Sequence, residues 1–299
     1  MAVKFVIIGG GPAGNQAATH AARLGADVTV IERDVVGGAA HLWDCIPSKT
    51  MIATGGAMSF ARRISGMGLE DVDAEVDLDA LRSRVQSIEK RLQDSIVSQL
   101  TSQGITMVNG AATLLGPHTV KIDGAGAATT IEADRILIAT GSRPRIPEWA
   151  QPDGDRVLTT RDCYPPKTLP AHIVVIGSGV TGVEFVHMFS SLGSKVTLVV
   201  SRQQVLPSKD PEVAAVLEAD FLRRGVNLLK GARAIAIDRD EETDGVIVRC
   251  DDGRVVRATH AVLAIGSIPN SDGLGLETTG VEVDDAGYVG IGNHCQTNV

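Results

Sequence analysis

Two stretches of this chain repeat one pattern, and the pattern dictates a fold. "FVIIGGGPAGNQAATHAARLGADVTVIE" (residues 5–32) and "IVVIGSGVTGVEFVHMFSSLGSKVTLVV" (residues 173–200) each run from an apolar strand through a glycine-rich turn into a helical stretch. Each then passes a Leu-Gly pair and enters a β-branched strand. Both carry G-x-G-x-x-G, as Gly9, Gly11 and Gly14 and again as Gly177, Gly179 and Gly182. The first glycine permits a tight bend after the strand. The second lets backbone N–H groups approach a pyrophosphate, and the third lets the helix pack closely on the sheet. The helix N-terminus offers unpaired N–H groups and a partial positive charge to the phosphates. A single copy is a weak signal. Two copies, each between a strand and a helix, predict two dinucleotide sites on an α/β scaffold. Pro12 and Ala13 in the first turn and Val180 in the second complete the candidate phosphate cradles.

The ends of the second strands distinguish the two sites. The first strand ends in Glu32, whose carboxylate can accept hydrogen bonds from an adenosine ribose. The matching position of the second unit is Val200, which cannot; Ser201 and Arg202 follow. Without a carboxylate there is no repulsion of a 2′-phosphate, and a guanidinium can pair with one. The second site is therefore read as accepting NADPH, with NADH possible. The alternative is that Arg202 is a solvated loop residue.

Composition narrows the function classes. At 299 residues the chain is long enough for two domains. Hydrophobic residues make up 43% and charged residues 21%, so a packed core is expected. A net charge of -8 argues against a polyanionic partner such as nucleic acid. Aromatics, at 3%, are too few for base-stacking surfaces. No apolar run approaches the ~18–20 residues of a membrane span, and "VKFVII" follows Met1 without the layout of a signal peptide. Cys45, Cys163, Cys250 and Cys295 are too scattered for a disulfide framework or a metal site, so the cytoplasm is the expected compartment.

Between the repeats, residues 77–104 place Leu81, Val85, Ile88, Leu92, Ile96 and Leu100 at helical spacing, predicting a long packing helix that ends at Gly104. "ITMVNGAATLLGPHTVKID" and "TTIEADRILIAT" read as a β-meander with turns at Gly116-Pro117 and near Gly124 to Gly126. "ATGSRPRIP" leaves a strand through Ala139, Thr140 and Gly141. The proline-rich stretch that follows, "EWAQPDGDRVLTTRDCYPPKTLP", reads as a linker. A second echo closes each half: "LIATG" in the first, "LAIG" ending at Gly266 in the second.

Taken in this order, "GGGPAG", "CIPSKT", "ATGSRP", "GSGVTGVE" and "IGSIPN" resemble the pyridine nucleotide-disulfide oxidoreductases, the flavoprotein family of dihydrolipoamide dehydrogenase and glutathione reductase. The resemblance covers essentially the whole chain. It implies an α/β fold with two Rossmann-like FAD/NAD(P)-binding domains of the glutathione reductase type: residues 1–150 for FAD and 151–275 for NAD(P). Residues 276–299 would begin the return to the FAD and central region, with the C-terminal dimerisation domain absent from this chain and a homodimer expected of the full-length protein. The first glycine turn, Glu32 and the Ala139–Thr140–Gly141 segment would hold FAD. The second turn would hold the nicotinamide cofactor. Lys49 resembles the lysine placed beside the flavin, where a cation stabilises the reduced ring, and Glu184 resembles its glutamate partner. The plainer readings are an exposed lysine and a glutamate that favours a helix's first turn.

One position departs from the family pattern. The redox pair is C-x-x-x-x-C, and here the first cysteine falls on Ala40 and the second on Cys45. Hydride from NAD(P)H can still reach the flavin, but no internal dithiol can pass the electrons on. The resemblance therefore implies a FAD-dependent NAD(P)H oxidoreductase with a diffusible acceptor, a quinone foremost. The alternatives are a dihydrolipoamide dehydrogenase, which needs the missing thiol, a soluble transhydrogenase, or a non-catalytic flavin-binding protein. Cys45 is either a thiol near a helix N-terminus with a lowered pKa or a vestige. His41 and Trp43 either shape an acceptor pocket or fill space.

Overall fold

The computed structural model describes residues 2–64, 67–70 and 72–299. Two compact units interleave along the chain. Met1–Ile46, Ser87–Arg143 and Ile268–Val299 make the first, and Pro47–Gln86 with Pro144–Ser267 make the second.

The first unit is built on a four-stranded parallel sheet in the order Thr106–Asn109, Asp27–Glu32, Lys4–Ile8, Arg135–Ile138. Successive side chains on a strand point to opposite faces, and the burial follows that rule. Ile7, Val28 and Val30 pack with Ala18 of the helix Pro12–Arg23. Val6, Ile8 and Ile31 face the other way, onto Ala112, Leu114, Val120 and Ile122. Those four belong to an antiparallel three-stranded sheet, Ala111–Gly116, Thr119–Asp123 and Thr129–Glu132. Burying a Val or Ile side chain contributes roughly 1.5–3 kcal/mol, so strands covered on both faces are the stable centre of the unit.

The second unit repeats the plan. Its five-stranded parallel sheet runs Asn227–Lys230, Lys195–Val200, His172–Ile176, His260–Leu263, Val157–Leu158. Ile173, Val175, Val196 and Leu198 pack with Phe185, Phe189 and Phe221 of the helices Val180–Leu192 and Pro211–Arg223. Val174, Ile176 and Val199 turn to the opposite face, onto Val246 and Val248 of a second antiparallel meander.

Two expectations need correction. Thr106–Asn109 and Arg135–Ile138 are not meander strands; they pair in parallel with the central sheet of the first unit. The proline-rich stretch is not a free linker. It supplies the edge strand Val157–Leu158 and a 3₁₀ turn, Thr160–Cys163, whose Cys163 is fully buried. The long helix is present as Leu78–Ser102, its start capped by Asp77 Oδ1, which accepts from the N–H groups of Asp79 and Ala80. Leu81 and Val85 join the core of the second unit, Ile96 and Leu100 that of the first. Among the described residues no helix is long and apolar enough to cross a membrane.

Candidate functional site

In the first unit, the sequence-predicted cradle residues converge at the carboxyl ends of the parallel strands. Gly9 has φ +111°, and a Cβ there would lie 2.3 Å from the carbonyl oxygen of Ala139, so the turn packs directly on the returning strand. A Cβ on Gly14 would lie 1.9 Å from the Gly9 carbonyl. Gly11 is the N-cap of the helix Pro12–Arg23 in extended conformation, with no side-chain cap and with Pro12 at the start. The first turn, with Ala13 in it, thus keeps N–H groups available for phosphate oxygens. Glu32 is fixed beside it: Oε2 accepts from the N–H of Gly10 at 2.7 Å, and Oε1 from that of Asp34 at 2.8 Å. Each carboxylate oxygen retains a second lone pair for a ribose hydroxyl. Thr140 and Gly141 continue from Ala139, with Gly141 at φ +67°. Asn15, next to Gly14, is buried with both amide atoms unpartnered; the sequence reading gave it no role.

The second unit repeats this geometry. A Cβ on Gly177 would meet the Ala264 carbonyl oxygen at 2.3 Å, and one on Gly182 the Gly177 carbonyl at 1.9 Å. Gly179 caps the helix Val180–Leu192 without a side-chain bond. A Cβ on it would meet nothing within 4 Å, which leaves open space before the helix and the exposed Val180. Gly266, at φ +93°, follows Ala264. Ser201 and Arg202 are exposed beyond the strand Lys195–Val200. Arg202 lines an open depression of about 550 Å³ with Gln203, Gln204, Pro207 and Ser208.

The same unit brings Lys49 and Glu184 together, 135 residues apart in sequence. Lys49 Nζ lies 2.8 Å from Glu184 Oε1. The helix Ile46–Ala61 reaches this position because Gly55 lets it approach closely; a Cβ there would stand 2.9 Å from Ser191 Cβ. Met51 and Met58 then pack with Met188 and Leu192. Both charges are well exposed, so the pair contributes about 0–1 kcal/mol to stability; what it fixes is position. Glu184 is the fifth residue of its helix, beyond the first turn, so helix-start preference does not explain it. One turn on, His187 Nδ1 lies 3.0 Å from Arg224 Nη1. Burial, then the Arg224 charge, lowers the pKa of His187, against the pull of Asp220 and Glu184. Neither His187 nor Arg224 was singled out from sequence.

Cys45 belongs to the first unit. Residues Ala40–Cys45 form a π-helical turn, with the N–H of Ile46 donating to the carbonyl of His41. Such wide turns are rare and concentrate at functional positions. Ala40 and Cys45 occupy its two ends, five residues apart. The helical run already starts at Gly38, so Cys45 lies inside it and not at the N-terminus, contrary to the sequence expectation. Leu42 is buried against Gly37, Trp43 is exposed, and His41 is half-buried with Nδ1 unpartnered. The four cysteines stand as thiols. Burial raises the pKa of Cys163 and of Cys250, which suits inert core thiols. Among the described residues no cluster of three or more His, Cys, Asp or Glu is arranged to hold a metal.

Residues 3–299 match the sequence profile of the pyridine nucleotide-disulphide oxidoreductases. The chain belongs to this family. It is 43% identical to an NAD(P)H dehydrogenase (quinone) of Mycobacterium tuberculosis over 97% of its own length and 61% of the relative's. It is 30% identical to a dihydrolipoyl dehydrogenase of Zymomonas mobilis, over 99% of this chain and 64% of that one. The crystal structure of LpdA from Mycobacterium tuberculosis superposes with a TM-score of 0.91 at 41% identity, covering 99% of this chain and 66% of that one. The flavoprotein disulfide reductase RclA of Escherichia coli, in a Cu(II) complex, shares the fold at a TM-score of 0.86 and 24% identity. The chain thus spans less than two thirds of the length of the relatives it matches. Membership implies a flavin and a nicotinamide cofactor, and the residues fit two dinucleotides: two uncapped helix starts, one with open space at Gly179, each packed on a returning strand.

Proposed function

We propose that the protein is a FAD-dependent NAD(P)H oxidoreductase that prefers NADPH and reduces a diffusible acceptor, a quinone, without a redox-active disulfide. The observation that carries this reading is the pairing of an intact Lys49–Glu184 contact at 2.8 Å with an alanine at the end of the π turn opposite Cys45. FAD held by such a chain would supply the two-electron chemistry that links NADPH to the acceptor.

The chain's own residues have distinct tasks in this reading. Gly11, Pro12, Ala13 and Gly14 receive the flavin nucleotide's phosphates, and Glu32 its adenosine ribose. Gly177, Gly179, Val180 and Gly182 receive NADPH, and Arg202 with Ser201 meets its 2′-phosphate, supported by the open depression beside Arg202. Glu184 orients the Lys49 ammonium, and a cation so placed stabilises negative charge on a reduced ring. Ala40 offers a methyl group where a thiol would attack a disulfide, so residue 40 supplies no second sulfur to a dithiol. The name of the M. tuberculosis relative supports the quinone as acceptor class.

An acceptor panel tests the proposal. With NADPH as donor, the flavin-loaded full-length protein is expected to turn over benzoquinone and to leave lipoamide, glutathione disulfide and NAD⁺ essentially untouched. Lipoamide turnover that matches or exceeds quinone turnover would replace this reading with that of a dihydrolipoamide dehydrogenase.

A further inference from the structure

The turn at Thr140 and Gly141 is held by a second segment that lies some 130 residues further along the chain. The backbone N–H of Asn270 donates to the Gly141 carbonyl at 3.0 Å, and Asn270 Nδ2 donates to the Thr140 carbonyl at 2.9 Å. The Asn270 side-chain oxygen in turn accepts from Arg143 Nη1 at 3.1 Å. Arg143 then forks onto Asp272, with Nη1 2.8 Å from Oδ1 and Nη2 2.9 Å from Oδ2, and reaches the Pro269 carbonyl at 3.3 Å. The bonds close a ring. Residues 140 and 141 bind 270, residue 270 binds 143, and 143 binds 269 and 272.

We propose that Arg143, Asn270 and Asp272 are positioning residues that clamp this turn and thereby set how tightly the protein retains FAD. The inference rests on the proposed flavin site. Three features support it. Gly141 sits at φ +67°, in the left-handed region, where a glycine has wide freedom and little of its own to fix it. Ala139, two residues before, presses its carbonyl on Gly9, where a Cβ would come within 2.3 Å. A shift of the turn is therefore transmitted to the phosphate cradle. Lastly, the fork is bidentate and extended by a side-chain amide, a geometry with more directional strength than an isolated surface pair. The hydrogen bond from Arg143 is the leading cause that holds the Asp272 carboxyl below its usual range, and the Arg33 charge adds to it.

The second unit has a simpler arrangement at its matching turn. There the Gly266 carbonyl accepts from the backbone N–H of Arg145 at 3.0 Å. Among the described residues the side-chain clamp belongs to the first unit.

The test is the rate of FAD release from the full-length protein, followed by flavin fluorescence, beside the melting temperature of the FAD-free protein. Arg143→Ala and Asn270→Ala are each expected to speed release at least tenfold and to leave the FAD-free melting temperature nearly unchanged. Arg143→Lys, which keeps the charge and loses the fork, is expected to fall between. The charge-swapped pair, Arg143→Asp with Asp272→Arg, keeps opposite charges but cannot donate from residue 143 to Asn270 Oδ1 or to the Pro269 carbonyl, so it is expected to recover little of the lost retention. Release within twofold of the unmodified rate in both alanine variants would overturn the clamp. So would a fall in melting temperature that accounts for the faster release in every variant. An unmodified protein that takes up no FAD would refute the functional reading itself, and the clamp with it.

Discussion

The two glycine turns share a backbone and differ in their side chains. In both, a Cβ on the first glycine would come within 2.3 Å of the returning strand's carbonyl, and one on the third within 1.9 Å of the first glycine's. Those collisions depend only on how a strand, a turn and a helix meet, so they recur wherever a dinucleotide is cradled this way. Past the second strand the units part. The first ends in Glu32, with its carboxylate pinned by two backbone N–H groups. The second ends in a buried Val200 and continues into exposed Ser201 and Arg202 beside an open depression. In the proposed reading the shared backbone receives a dinucleotide in each unit, and the residues at the strand end select which one.

The sharpest way to break this comparison is to fill one cradle at a time. Gly14→Ala is expected to abolish FAD uptake, with affinity falling more than about 100-fold, because the methyl group would have to displace backbone. Gly182→Ala is expected to keep its FAD and lose kcat/KM for NADPH by a similar factor. Visible absorbance of the purified variants and steady-state kinetics read both. A Gly14→Ala protein that stays yellow would dissolve the assignment of the first turn to flavin.

Within the second unit, Glu184→Gln is expected to slow flavin reduction by NADPH about 100-fold, since the Lys49 ammonium loses its orienting partner. FAD content should not change, and stopped-flow absorbance distinguishes the two effects. Arg202→Glu is smaller and more selective. KM for NADPH is expected to rise about tenfold, equivalent to ~1.4 kcal/mol, with KM for NADH little altered. Equal shifts for both cofactors would remove Arg202 from the 2′-phosphate.

The least effect concerns stability. Burial, then the Arg156 charge, lowers the pKa of His260 to about 4, from the usual 6.5, and His172 and His187 are depressed in the same direction. Between pH 6.5 and 4 the unfolded chain binds protons that the fold refuses, so stability falls as pH drops through that window. All three histidines lie in the second unit, which is expected to lose protection from hydrogen exchange first on acidification. His260→Gln is expected to flatten that part of the pH dependence.

Much of this was legible before the structure, for reasons that explain what was not. The glycine turns, the long helix and the Lys49 and Glu184 positions are written in short, local patterns. Thr106–Asn109 and Arg135–Ile138 were assigned to the wrong sheet because β-branched runs do not state their partner or its direction. The edge strand Val157–Leu158 is two residues long and has no periodicity to read. The π turn at Ala40–Cys45 has no distinctive sequence signal, since its residues would also suit an ordinary helix. The clamp joins residues 129 positions apart, and nothing in either segment alone announces it.

The central claim, a flavin site without a dithiol, is tested most directly by anaerobic titration of the full-length protein with NADPH. One equivalent of NADPH per flavin is predicted to bleach the oxidised spectrum fully. Uptake of two equivalents, with a thiolate-to-flavin charge-transfer band at the midpoint, would contradict it.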